Sequence, residues 1–147
     1  MHEDAVEILL VEDNPDDLEL ALLALKEHQL ANHIHVARDG AEALDFLFGS
    51  TQHAGHNGHR GPKVILLDLK LPKVDGFEVL QRIKADPRTR HIPVVALTSS
   101  HEESDMVQSY ELGVNSYIVK PVDFEQFTQA VKSLKFYWLL LNQLPAG

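Results

Sequence analysis

The chain has 147 residues, 44% of them hydrophobic and 24% charged, with no cysteine and a formal net charge of −9 at pH 7. That length and balance suit one domain with a buried core and exclude a disordered chain. The acidic surplus repels a phosphate backbone, so no direct nucleic-acid binding is expected, and the lack of cysteine excludes disulfide scaffolds, thiolate zinc sites and cysteine nucleophiles. Met1-His2-Glu3-Asp4 lacks the basic opening and apolar run of a signal peptide. No stretch approaches the ~18 apolar residues of a membrane span. The expectation is a soluble, cytoplasmic protein.

In chain order, Glu7–Glu12 (EILLVE) is an apolar run of strand length. Asn14-Pro15 reads as an N-cap with Pro at the first helical position, and Leu18, Ala21, Leu22 and Leu25 recur at helical spacing to about Leu30. His33–Arg38 alternates Ile34 and Val36 with polar neighbours, the pattern of a half-covered strand. Asp39-Gly40 is a turn before a second helix carrying Ala43, Leu44, Leu47 and Phe48. Residues 49–62 (GSTQHAGHNGHRGP), with four Gly and no apolar period, read as a mobile loop. Val64–Leu67 is a buried-type strand ending at Asp68, and Asp75 caps a third helix with Phe77, Leu80 and Ile83, closed by Asp86-Pro87. Pro93–Leu97 forms the next strand, ending at Thr98, and Ser100–Glu103 fits a capping box opening a fourth helix that stops at Gly113. Ser116–Val119 is the last strand, ending at Lys120-Pro121, and Asp123 starts a final helix towards Asn142. Five strands alternating with five helices predict a single α/β domain, a mostly parallel sheet covered on both faces and joined by right-handed crossovers. Its core spans about residues 7–134.

Ligands of open parallel sheets bind outside the carboxyl ends of the strands. The residues standing there are Glu12-Asp13, Asp68, Thr98 and Lys120. Three acids held close repel, and each carboxyl is pushed up unless a cation sits among them. All-oxygen ligation with few carboxylates suits Mg²⁺. A Lys and a hydroxyl opposite the metal are what a phosphoryl group needs for charge neutralisation and orientation. Asp68, at the centre of the sheet, is the acid best placed to attack phosphorus, and carboxylates do serve as phosphoryl acceptors. His53, His56 and His59 make an HxxHxxH run, but in a Gly-rich loop nothing fixes their geometry and no carboxylate is adjacent. A solvated loop is the expectation there, ahead of a metal site.

Four motifs carry a resemblance: ILLVEDNPDD at Ile8–Asp17, LLDLKLPKVDG at Leu66–Gly76, ALTSS at Ala96–Ser100 and YIVKP at Tyr117–Pro121. In this order and spacing the chain resembles the receiver domain of two-component response regulators, from about Glu7 to Leu134. The resemblance implies a flavodoxin-like doubly wound sheet of strand order 2-1-3-4-5. It makes Asp68 the phosphoacceptor for a histidine kinase's phosphohistidine. Glu12 and Asp13 become the acidic pair for Mg²⁺, Asp13 the more direct ligand, and the Lys70 backbone carbonyl completes the protein's metal contacts. Lys120 pairs with a phosphoryl oxygen ahead of a cis bond to Pro121. Thr98 and Tyr117 form the switch, Thr98 moving to the phosphoryl group and Tyr117 turning inward. Glu12 is longer than the Asp often found in the family, and Ser99 stands where Ala or Gly is common. With Lys70 and Ser100, Ser99 lines the approach to the phosphoryl group, so these residues tune its lifetime.

Phe136–Leu141 (FYWLLL) is six consecutive large apolar residues, with Leu144 beyond. One helix face buries about half of such a run, and the rest makes a patch of interface size. Phe136, Tyr137, Trp138, Leu140, Leu141 and Leu144 are therefore expected at a homodimer interface, ahead of a fold-back onto their own domain or a membrane surface. This extension (residues 135–147) and the long loop narrow the resemblance to the stand-alone response regulators of bacterial and cyanobacterial phytochrome histidine kinases. The expected protein is a phosphorelay receiver, not an enzyme beyond its own phosphoryl transfer and dephosphorylation, with no output domain. Three rivals fit less well. An aspartyl-phosphate phosphatase generally has a second Asp where Lys70 stands. An FMN carrier needs a Ser/Thr/Gly-rich phosphate loop where Glu12–Asp17 (EDNPDD) stands. A purely structural dimerisation module gives no reason for three acids at one crevice.

Overall fold

The five apolar runs all become strands of one sheet. A computed structural model describes residues 8–27, 33–49, 61–71, 73–99, 113–123, 125–127 and 129. β1 (Ile8–Val11), β2 (Ile34–Ala37), β3 (Val64–Asp68), β4 (Val94–Thr98) and β5 (Ser116–Val119) pair in parallel in the order β2-β1-β3-β4-β5. β1, β3 and β4 are buried on both faces, which is why they read as unbroken apolar runs, whereas the edge strand β2 stays half-exposed and alternates. The order reverses between β1 and β3, so the crevice at their carboxyl ends is the switch point of the topology.

Alternation along the strands sends residues to two cores. Ile8, Leu10, Leu66, Val95, Leu97 and Ile118 pack under α1 (Pro15–Glu27) with Leu18, Ala21, Leu25 and Phe127. Leu9, Val11, Ile65, Leu67 and Val94 pack on the other face under α2 (Gly40–Leu44) and α3 (Gly76–Ala85). Helices thus cover both faces, as expected. The caps at Asn14 and Asp75 fall where the sequence places them, and Asp39, read as a turn, also proves to be a cap. The Asn14 side chain accepts from the Asp16 and Asp17 amides, each at 2.9 Å, Asp39 accepts from Glu42 N–H, and Asp75 from Phe77 N–H.

The second helix departs from expectation. It keeps α winding only to Leu44 and then widens into a π-type turn over Asp45–Gly49. The wider turn accompanies two aromatic contacts. Phe46 enters the core with His35 stacked on it at 4.2 Å, while Phe48 lies against the guanidinium groups of Arg82 and Arg88. Most of the loop at 49–62, the fourth helix, and the extension with Phe136, Tyr137, Trp138, Leu140, Leu141 and Leu144 lie outside the described residues. Among the described residues no helix is long and apolar enough to cross a membrane.

Candidate functional site

The register of the sheet decides which side chains meet. Leu10 lies opposite Leu66, so two residues further on Glu12 faces Asp68 across the β1–β3 pair. Both are buried, at 1% and 3% exposure, while Asp13 is exposed at the rim. One carboxylate oxygen from each of Glu12, Asp13 and Asp68 falls within a group whose members are no more than 4.8 Å apart. The Lys120 ammonium reaches into this group from the end of β5. It stands 3.0 Å from Asp68 Oδ2, 3.3 Å from each Glu12 oxygen and 3.2 Å from Asp17 Oδ2. Three carboxylates therefore contact one ammonium, and Asp13 stands beside them as a fourth.

That imbalance shows in the titration of Glu12 and Lys120. Burial is the largest influence on Glu12. With the hydrogen bond and charge of Asp68 it pushes the Glu12 carboxyl up to about 8, against the pull of Lys120 and of the Asn14 amide, which donates to Oε2 at 3.2 Å. Burial also acts on Lys120, pulling it down, but the hydrogen bond and charge of Asp68, followed by Glu12 and Asp17, outweigh it and the net shift is upward. An all-oxygen donor set of three carboxyl groups, two of them buried, fits a hard divalent cation.

The turn after β3 is built to hold Asp68 still. Lys70 N–H donates to Asp68 Oδ1 at 2.9 Å, which fixes the rotation of the carboxylate and leaves Oδ2 to Lys120. Gly76 is required where α3 closes back on this turn, because a Cβ there would sit 2.5 Å from the Asp68 carbonyl oxygen. On the far side, Thr98 is fully buried at the end of β4, its carbonyl accepting from Lys120 N–H at 2.7 Å. Tyr117 lies opposite Ala96, on the same face as Thr98 two residues on, and packs against the cluster of Leu69 and Ala96 that Phe77 and Val114 also cover. The Lys120–Pro121 peptide is cis.

The structure thus brings Glu12, Asp13, Asp68 and Lys120 into contact distance and sets Lys70, Thr98 and Tyr117 around them. It adds Asp17, which sequence reasoning left unassigned. The signal was available: Asp17 is the third residue of α1, whose first turn overhangs the end of β1. Ser99 is exposed beside Thr98, and Ser100 lies outside the described residues.

A parallel 2-1-3-4-5 sheet with an acid cluster and a lysine at its switch point defines a class of phosphoryl-handling α/β domain. Residues 8–132 match the response regulator receiver domain, and the chain belongs to that family. It is 45% identical over 143 residues to the probable methanogenesis regulatory protein FilR2 of Methanothrix harundinacea, covering 97% of this chain and 90% of that protein. It is 42% identical to the response regulator Rcp1 of Synechocystis, covering 95% and 93% of the two chains; the structure of Rcp1 in its Mn²⁺-bound form superposes with a TM-score of 0.68. The bacteriophytochrome response regulator AtBRR is 58% identical with a TM-score of 0.85, covering 95% of this chain and 99% of that one.

Proposed function

We propose that this chain accepts a phosphoryl group from the phosphohistidine of a sensor histidine kinase onto Asp68. In that step an Asp68 carboxylate oxygen bonds to phosphorus as the phosphorus–nitrogen bond breaks, and the imidazole departs, taking its proton from solvent. The observation that carries the reading is the ammonium of Lys120 at 3.0 Å from Asp68 Oδ2, within a cluster of acids that fits a cation. Glu12, Asp13, Asp68 and the Lys70 carbonyl would hold Mg²⁺, which when bound offsets the charge on the phosphoryl oxygens. Lys120 turns from Asp68 to the incoming phosphoryl oxygen, and Thr98 donates to another. Tyr117 then fills the space Thr98 vacates, and the signal passes to a partner protein. The likeness to AtBRR supports a bacteriophytochrome as the kinase. The setting proposed is the cytoplasm, with the whole chain acting as one receiver domain.

Intact mass after incubation with acetyl phosphate tests the chemistry. Wild type gains one phosphoryl group in the presence of Mg²⁺ and not in its absence, and Asp68→Asn gains none. Uptake by Asp68→Asn at undiminished yield overturns the assignment of the acceptor.

Two copies are proposed to associate through Phe136, Tyr137, Trp138, Leu140, Leu141 and Leu144, on the strength of six adjacent large apolar residues. Trp138→Ala with Leu141→Ala shifts the mass in solution towards monomer; an unchanged dimer removes the extension from the interface.

A further inference from the structure

Gln126 sits in the first turn of the helix after β5, and its side chain does not do what its spacing suggests. Asp123 opens that helix, its Oδ1 accepting from Gln126 N–H at 2.8 Å and its carbonyl from Phe127 N–H at 2.9 Å. A Gln three residues after a capping Asp ordinarily turns back to the cap. Here the carboxamide lies along the outer edge of β5. Its Oε1 accepts from Val119 N–H at 3.1 Å, while Nε2 donates to the carbonyls of Val119 at 2.9 Å and Pro121 at 3.1 Å. Among the described residues β5 is the last strand of the sheet, paired with β4 alone. Gln126 therefore supplies the ladder contacts that a sixth strand would make.

The residue enclosed by those contacts is Lys120. On the inner side its N–H donates to Thr98 O at 2.7 Å, so the strand end is fastened from both sides. Fastening matters because charge alone does not choose a partner for the ammonium. Asp68, Asp17 and Glu12 stand at 3.0, 3.2 and 3.3 Å from it, close to equal. We propose that Gln126 is a positioning residue for phosphoryl transfer, its carboxamide fixing the Val119–Pro121 backbone from which Lys120 presents its ammonium to Asp68. The inference rests on the role proposed above for Lys120. The residue type is demanding: a carboxylate cannot donate to the two carbonyls, and a cationic side chain cannot accept from Val119 N–H.

Phosphorylation rates with acetyl phosphate at saturating Mg²⁺, together with Mg²⁺ affinity, test this in the full chain for Gln126→Ala, the near-isosteric Gln126→Glu, Lys120→Met and Lys120→Met with Gln126→Ala. Both Gln126 variants slow phosphorylation about tenfold, the scale expected when a reacting group is misplaced. Their Mg²⁺ affinity stays within about twofold of wild type, because the acid cluster is untouched. Added to Lys120→Met, Gln126→Ala slows the reaction no further. Gln126 variants at wild-type rate beside a slow Lys120→Met overturn the inference alone. An equal slowing by Gln126→Ala in the Lys120→Met background overturns it too, since the effect then does not pass through Lys120. Lys120→Met at wild-type rate overturns the role of the lysine itself.

Discussion

The strands have two ends with opposite energetics. Along Leu10, Leu66 and Leu97 every side chain is apolar and fully buried, and burial stabilises the fold. One or two residues further along the same strands, Glu12, Asp68 and Thr98 are buried just as deeply, but two of them are carboxyl groups, and burial beside Asp68 works against ionisation of Glu12. The core stretch is optimised for stability, whereas the carboxyl end gathers polar groups for the cation and phosphoryl group proposed above, and the folded core holds it in place. The lesson is that burial alone does not distinguish structure from function here. What distinguishes them is the sign of the effect when a side chain is removed.

Neighbouring substitutions on β3 give the largest test of that contrast. Leu66→Ala leaves a cavity in the core shared by α1 and the sheet and costs about 3 kcal/mol in denaturant unfolding. Asp68→Asn, two residues on, keeps an oxygen to accept from Lys70 N–H and removes one of four carboxylates, so the metal-free protein gains about 1 kcal/mol. Equal losses from the two changes would show that the strand ends do not differ in sign.

Glu12 gives the next largest effect, read through pH. The unfolded chain surrenders this proton near 4.5, while the folded, metal-free chain keeps it to about 8. The Glu12 contribution is therefore fully present below 4.5 and is lost as pH rises towards 8. Glu12→Gln has no such proton and flattens the slope across that window in thermal melts. Binding of Mg²⁺ expels the same proton, so the apparent affinity weakens below that pH, by up to about tenfold per unit. Identical pH slopes for wild type and Glu12→Gln would refute this account.

Much of this site was legible because strand ends are legible. Each of Glu12, Asp68, Thr98 and Lys120 follows a short apolar run, and a parallel sheet collects such positions at one edge. The caps Asn14, Asp75 and Asp123 were readable for a similar reason, since a cap is a contact within one turn. What escaped depends on contacts between distant segments. The place of Asp17 over the end of β1 follows from its helix, but nothing local shows that Lys120 would come to it across more than a hundred residues, or that Gln126 would leave its cap for Val119. The widening at Asp45 escaped as well, because Ala43, Leu44, Leu47 and Phe48 satisfy helical spacing whichever way the turn winds.

The smallest effect lies where the turn after β3 meets the surface. Lys73 has a left-handed backbone, φ 69°, and its ammonium stands 3.3 Å from Asp39 Oδ2. The Glu42 amide, more than Lys73, holds the Asp39 carboxyl below its usual range, so Asp39 is mainly a helix cap and the ion pair is secondary. Lys73 is 68% exposed, which limits the pair to about 0.5 kcal/mol. Lys73→Ala keeps the backbone strain and loses the pair, and Asp39→Asn keeps the cap and loses the pair, so each costs about 0.5 kcal/mol and together they cost no more. Lys73→Gly also relieves strain of about 1 kcal/mol, offset by the greater freedom of glycine in the unfolded chain, and stays within about 0.5 kcal/mol of wild type. High salt erases the losses from Lys73→Ala and Asp39→Asn but leaves the Asp68→Asn gain largely intact, because the surface pair is screened and the buried acids are not. Equal salt sensitivity at the two places would remove the distinction between rim and buried site.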